Sequence, residues 1–414
     1  MIITGPDLFN RLHSYPRKTV YNETMNKPLL ITNANLITGY SVIPNSGIYV
    51  NAEGIIEDVF KMSRLSSKSF PSGTETFDAC GLNVTPGLID THIHGCGGYG
   101  TEDMTASSIL GMSETLVRHG VTAFLPTIYP DGEECIFRSE EAILNAMGKE
   151  KGAKILGINV EGPFISPKRP GALPLSSISP VDIDYFDRII EHGKGHVVCM
   201  TVAPELKHMH ALALRAVTEG VVLLAGHTDA SYESMIEGMQ CGILHSTHFF
   251  NAMSRLHHRN PGAVGAILIN PHMSCEVIAD GVHVHPELVK LLVRLKPAEN
   301  IVLITDSLKP TGQKDGPLTA NGVEVLLSSE GAFVSKADST LLNGSALTLN
   351  RALYNMGKWG VGPDISVQMA TANPARIYGF NHIGSLIPGK KGDICVFDSS
   401  FTPKAVFVNG QRRV

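Results

Sequence analysis

At residues 92–94 the chain reads His92-Ile93-His94, closing the short run Pro86-Gly87-Leu88-Ile89-Asp90-Thr91. Side chains alternate between the two faces of a strand, so a strand over Leu88–His94 would set both imidazoles on one side. Two imidazoles at that spacing can share a metal ion. The pattern recurs. Ile155–Glu161, Val221–His227 and Ile301–Asp306 are largely apolar up to Glu161, His227 and Asp306, His245–Phe249 carries His248, and Ser274–Asp280 ends on Asp280. A charge at the end of a buried strand is costly to desolvate unless a metal or a partner compensates it. One such residue is an ordinary strand end; a set of them is a constellation.

Imidazole and carboxylate ligands suit Zn2+ or a similar divalent ion, and a hydrolytic site keeps one coordination position open for water. Such an ion brings the pKa of water toward neutrality and polarises a scissile carbonyl. A carboxylate not used as a ligand must then take the water proton and hand it to the leaving group. The glycines after His94 (Gly95, Gly97, Gly98, Gly100) lack the spacing of a phosphate-cradling loop and are expected to form a flexible rim loop. His13, His119, His192, His196, His208, His210, His272, His285 and His382 have no strand-end context and are expected at the surface or in packing.

Residues 84 to about 370 alternate short apolar runs with longer amphipathic stretches, the signature of βα units and a parallel sheet. Strands are predicted at 88–94, 123–126, 155–161, 197–203, 221–227, 245–249, 274–280 and 301–306. Helices are predicted at 106–119, 139–151, 181–192, 208–219, 231–238, 286–295 and 346–359. The fold class is therefore α/β, one (β/α)8 TIM barrel, whose active site lies at the C-terminal strand ends. A doubly wound sheet would gather its site at one crevice instead. Residues 28–62 and the runs 384–387, 393–398 and 405–410 are β-rich, and both chain ends are expected to build one small antiparallel sheet. The expected division is an extension at 1–27 with a short helix near 7–12, a small β domain from 28–83 and 384–414, and the barrel at 84–383.

The chain has 414 residues, 43% hydrophobic and 18% charged, an ordinary globular balance. A formal net charge of −5 argues against a general nucleic-acid binder. Seven scattered cysteines without a C-x-x-C read as reduced thiols of a cytoplasmic protein. No apolar run approaches the roughly 20 residues that span a bilayer, and no signal peptide is evident, so no membrane partner is expected.

The segment Pro86–Gly95 resembles the first-strand motif of the amidohydrolase superfamily. Glu161-Gly162-Pro163-Phe164, Gly226-His227-Thr228-Asp229-Ala230, Thr247-His248-Phe249-Phe250-Asn251-Ala252-Met253, Asp280-Gly281-Val282-His283, Thr305-Asp306 and Asn343-Gly344-Ser345 are similar to its N-acetylglucosamine-6-phosphate deacetylase family. The likeness spans about residues 28–414 and implies a metal-bearing barrel with a small β-sandwich, usually dimeric, releasing acetate from a phosphorylated N-acetylamino sugar. It implies Glu161, His227 and His248 as ligands of one divalent ion, with His92 and His94 holding a second that Glu161 bridges. The ion is expected to be Zn2+, with Fe2+ or another divalent ion as alternatives. Asp306 matches the proton-transferring carboxylate, and His283 a residue touching the acyl group and sugar. Ala172, Asn251, Ala252, Leu342, Asn343 and Gly344 match substrate contacts, and Arg259 matches a phosphate contact reaching the neighbouring subunit of a homodimer. Where the family carries Gly-x-His, this chain has Gly171-Ala172-Leu173. That leaves the sugar isomer, galactosamine included, and the N-acyl group open. A barrel kept as a non-catalytic scaffold would be expected to have lost ligands, and here they are present.

Overall fold

The computed structural model describes residues 26–313 and 317–414; the helix expected near 7–12 lies outside them. Eight strands form where the apolar runs predict them: β1 (Leu88–Ile93), β2 (Val121–Ile128), β3 (Ile158–Val160), β4 (Val197–Val202), β5 (Val222–Ala225), β6 (His245–Ser246), β7 (Ser274–Ile278) and β8 (Ile301–Ile304). Each is hydrogen-bonded in parallel to the next. Just past β8, Ser307 bridges Ile93 in parallel, and Asp306 N donates to His92 O at 2.9 Å, which brings the ring round to its start. β1, β2, β4 and β7 are buried along their whole length, as a parallel sheet covered by helices requires.

A helix follows every strand: Ala106–Leu116, Glu133–Ala146, Ile183–His192, Met209–Glu219, Tyr232–Gln240, Gly262–Ile269, Pro286–Leu295 and Leu349–Lys358. Side-chain caps start several. Thr105 accepts from Ser108 N, Asp182 from Tyr185 N and Ser231 from Ser234 N, satisfying amides that have no intrahelical partner. Glu133–Ala146 begins earlier than the expected residue 139 because Gly132, at φ +94°, ends the preceding turn and two glutamates then face the positive end of the helix dipole. Gly262–Ile269 was not legible in the sequence. Its residues are apolar all round, so no 3.6-residue period marks it.

Between β8 and Leu349–Lys358 the chain makes an antiparallel sheet of four strands, Thr319–Ala320, Val323–Leu327, Ala332–Ser335 and Leu342–Ser345. Only Val325 of the second strand is buried, so the sequence pattern there is too weak to read. The glycines after His94 form a pinned hairpin, not the flexible loop expected. Gly95 N donates to Ser307 O at 2.9 Å, Gly97 N to Thr311 O at 2.7 Å and Gly98 N to Lys309 O at 2.8 Å. A Cβ on Gly95 would lie 2.4 Å from Tyr99 O, so the close approach requires glycine.

The second, sheet-rich domain has one sheet running Gln411–Arg412, Pro403–Val408, Ile394–Phe397, Asn83–Pro86, Leu29–Ile37, Val42–Val50 and Ile56–Lys61, with Glu75–Asp78 alongside Leu29–Ile37. The sheet is mixed: Leu29–Ile37 pairs in parallel with both Glu75–Asp78 and Asn83–Pro86. Residues 384–387, read as a strand, are not one. Gly384 turns there at φ +86° and Leu386 packs into the core of the sheet.

Candidate metal centre

The strand ends converge. Glu161, after β3, lies with Oε1 3.3 Å from His227 Nε2, after β5, and 3.1 Å from His248 Nε2, after β6. Glu161 Oε2 is 3.2 Å from His94 Nε2, and Oε1 is 3.5 Å from His92 Nε2. Asp306 Oδ1, after β8, stands 3.5 Å from both His92 Nε2 and His94 Nε2. Two donor groups result, Glu161 with His227 and His248, and His92 with His94 and Asp306. All but Asp306 are buried.

Their backbones explain how residues on separate strands meet. His227, His248 and Asp306 have φ values of +45°, +25° and +50°, a region that disfavours side-chain-bearing residues. Each is held by hydrogen bonds. His227 O accepts from Ser166 N (2.8 Å), His248 O from Asn251 N (3.0 Å), and Asp306 O from Ser345 N (3.0 Å). Such conformations persist where the surroundings over-determine them, which is common at functional sites.

Several ring nitrogens are oriented from behind. His94 Nδ1 lies 3.2 Å from Thr127 O and His227 Nδ1 3.0 Å from Arg169 O. His92 Nδ1 is 2.8 Å from Thr247 Oγ1, which donates to Glu276 Oε2 at 3.0 Å; Glu276 Oε1 accepts from Thr91 (2.7 Å) and Tyr378 OH (2.6 Å). Because Thr247 spends its proton on Glu276, His92 must donate from Nδ1, leaving Nε2 with a lone pair. That Nε2 is buried and has no hydrogen-bond partner. Burial depresses the His248 imidazole, favouring the neutral, ligating form. Burial alone would raise the carboxyl of Glu161, but hydrogen bonds from His227, His248 and His94 prevail and hold it well below the usual range. At His92 burial opposes charge, yet Glu276, Glu161 and Asp306 outweigh it and push the ring up to about 9, so these carboxylates favour positive charge at Nε2, whether a proton or a divalent ion that would replace it. An orphaned ligating nitrogen among ionised carboxylates is a site built for positive charge, so the donor set fits one or two divalent ions.

Around this centre lies a cavity of about 670 Å³. It brings together His94, Glu161, His227, His248 and Asp306 with Ala172, Asn251, Ala252, His283, Leu342, Asn343 and Gly344. His92 lies fully buried beneath it. His283 Nδ1 is 2.6 Å from Asp280 Oδ2, and Asp280 Oδ1 accepts the amides of Val282 and His283. Burial would favour the neutral His283 ring, but Asp280 outweighs it and raises the imidazole above its ordinary value. Arg259 does not line this chain's cavity. It is exposed on a turn closed by His257 and Asn260, with Nη1 2.7 Å from His258 Nε2.

Sequence reasoning passed over Tyr129, Glu276 and Arg255. Tyr129, immediately after β2, stacks on His94 with ring centroids 4.0 Å apart; the strand-end rule reaches it, but a search for ligand types does not. Glu276 is a charge inside the apolar β7, and that contrast was the available signal. Nothing in the sequence marks Arg255, a cavity-lining residue, apart from its neighbours.

Residues 83–413 match the sequence profile of the Amidohydrolase family. The chain is 34% identical over 387 residues to the N-acetylglucosamine-6-phosphate deacetylase of Bacillus subtilis (strain 168), covering 91% of this chain and 94% of that protein. It is 32% identical over 331 residues to the N-acetylgalactosamine-6-phosphate deacetylase of Escherichia coli O157:H7, covering 79% and 87%. Among solved structures, the Mycobacterium smegmatis N-acetyl-D-glucosamine-6-phosphate deacetylase in complex with N-acetyl-D-glucosamine-6-phosphate superposes with a TM-score of 0.85 at 26% identity, covering 94% of this chain and all of the other.

Proposed function

The chain belongs to the Amidohydrolase family, and on that footing we propose that it hydrolyses N-acetyl-D-glucosamine 6-phosphate to D-glucosamine 6-phosphate and acetate. The observation that carries this reading is the meeting of the two donor groups with His283 and Asn251 in one cavity at the strand ends. Glu161, His227 and His248 would hold one divalent ion, and His92, His94 and Asp306 face the place of a second. Zn2+ is the ion this donor set suits best. When bound, the metal supplies Lewis acidity toward the acetyl carbonyl and a more acidic water.

The remaining work falls to the chain's own groups. Asp306 accepts the proton of the attacking water at a carboxylate oxygen and delivers it to the amine as the C–N bond breaks. His283, whose hold on a proton Asp280 strengthens by facing its Nδ1, donates from Nε2 to the carbonyl oxygen as negative charge gathers there. Asn251 and the Leu342–Gly344 strand orient the sugar. Arg259, exposed and outside its own chain's cavity, serves the phosphate of a second copy in a homodimer. No disulfide joins any of the seven cysteines, which agrees with a reducing, cytoplasmic setting.

Leu173, buried at the cavity wall where the family has an imidazole, leaves a second reading standing, the galactosamine isomer or another N-acyl compound. Acetate release from both 6-phosphates and from unphosphorylated N-acetylglucosamine, before chelation, after it, and after metal return, tests the assignment. Metal-replete protein that releases no acetate from either 6-phosphate overturns it.

A further inference from the structure

A substrate phosphate brings close to two negative charges into a cavity that already holds Asp131, Glu161 and Asp306. Among the described residues lining that cavity, Arg255 is the only lysine or arginine. We propose that Arg255 is a phosphate-recognition residue acting within its own subunit, so that each site carries a permanent cation independent of the neighbouring chain. The inference rests on the phosphosugar reading and deepens it.

The backbone holds Arg255 in place. Thr228 N donates to Ala252 O (3.0 Å), Ser254 N to Thr228 O (2.9 Å), and Ser254 Oγ to Ala230 O (2.6 Å). The segment leading to Arg255 is thus stitched to the chain just beyond β5, which also carries His227, and Arg255, itself exposed, lines both the main cavity and its neighbour. The nearby cations are already engaged. Arg169 Nε lies 2.9 Å from Asp229 Oδ1, and Lys168 Nζ lies 3.3 Å from Asp229 Oδ2. No carboxylate among the described residues forms an ion pair with Arg255. Arg255 also borders an adjoining cavity of about 310 Å³, lined by Lys168, Arg169 and Phe250, which leaves room for phosphate oxygens beyond the metal centre. A planar guanidinium without a partner suits a phosphate bidentately.

The test compares wild type, Arg255→Ala, Arg255→Lys and Arg259→Ala on N-acetylglucosamine with and without the 6-phosphate, with inorganic phosphate as competing anion and metal content measured throughout. Arg255→Ala should raise KM for the 6-phosphate by about 10- to 30-fold and weaken inhibition by inorganic phosphate, with metal content kept. The preference for the phosphorylated sugar should fall by the same factor. Arg255→Lys, keeping the charge without the fork, should fall between. An Arg255→Ala enzyme with undiminished preference, while Arg259→Ala loses it, overturns this inference alone. A wild type indifferent to the phosphate removes the phosphosugar reading itself.

Discussion

Asp306 stands between the two imidazoles at the end of β1 and the cavity, in a left-handed conformation held by backbone hydrogen bonds to His92 and Ser345. Its position decides its role more than its identity does, because Asp280 ends a strand too and is consumed by His283. Asp306→Asn should therefore lower kcat by about 10³-fold or more while Glu161, His227 and His248 keep their ion. Steady-state kinetics with elemental analysis checks both halves, and a variant above about a tenth of wild-type kcat would exclude Asp306 as the base. Asp280 gives a pH prediction. It raises the His283 imidazole, so Asp280→Asn lowers that pKa and empties the protonated donor at a lower pH. The alkaline limb of kcat against pH should move to lower pH; an unmoved limb would mean that His283 does not act as a charged donor.

At the scale of elements, the strands do two things. Their ends carry the candidate ligands and their interiors orient them. β7 shows the second: Glu276 draws hydrogen bonds from Thr91 beside His92, Thr247 beside His248, and Tyr378 from Ala372–Ile377 and beyond. Through Thr247 it fixes the tautomer of His92. Second-shell partners of this kind typically contribute about 10- to 100-fold in metal affinity. Glu276→Gln should weaken the ion held by His92 and His94 by that order and spare the one at Glu161, His227 and His248. Calorimetric titration of the metal-free protein reads this without any turnover, and two unaltered binding steps would reduce Glu276 to a packing role. The hairpin at Gly95–Gly100, hydrogen-bonded to residues 307–311, gives β1 and β8 a common rim, which keeps His94 and Asp306 in register.

In the whole molecule, Arg259 and Arg255 pose one question about assembly: whether a site is complete in one chain. If Arg259 reaches a neighbouring site, mixing Arg259→Ala with Asp306→Asn chains, after dissociation and reassociation, should restore activity that neither parent shows. The Arg259→Ala chain then keeps its own Asp306 and receives Arg259 from its partner. Random pairing makes about half the dimers mixed with one sound site each, so about a quarter of wild-type kcat/KM is expected. No recovery would place Arg259 outside the neighbouring site.

The eight barrel strands and the candidate ligands were legible from the order of residues, because most of these buried parallel strands stay apolar up to the mouth, where a charged or ligating residue marks the end; Asp90 inside β1 and Glu276 inside β7 are exceptions. Glu161, His227 and Asp306 announce themselves this way, and His92 does so through its spacing from His94. What pattern reading could not supply depends on contact across the ring. That His92 presents Nε2 follows from Thr247 and Glu276, just beyond β6 and on β7 respectively. Gly262–Ile269 and the strand Val323–Leu327 escaped because one has no polar face and the other scarcely an apolar one. The separation of Asp280 from Asp306, and of Arg255 from Arg259, was also decided only by the tertiary structure. Each pair shares a residue type, and it is the three-dimensional neighbourhood, a ring nitrogen for one and a cavity wall for the other, that tells its members apart.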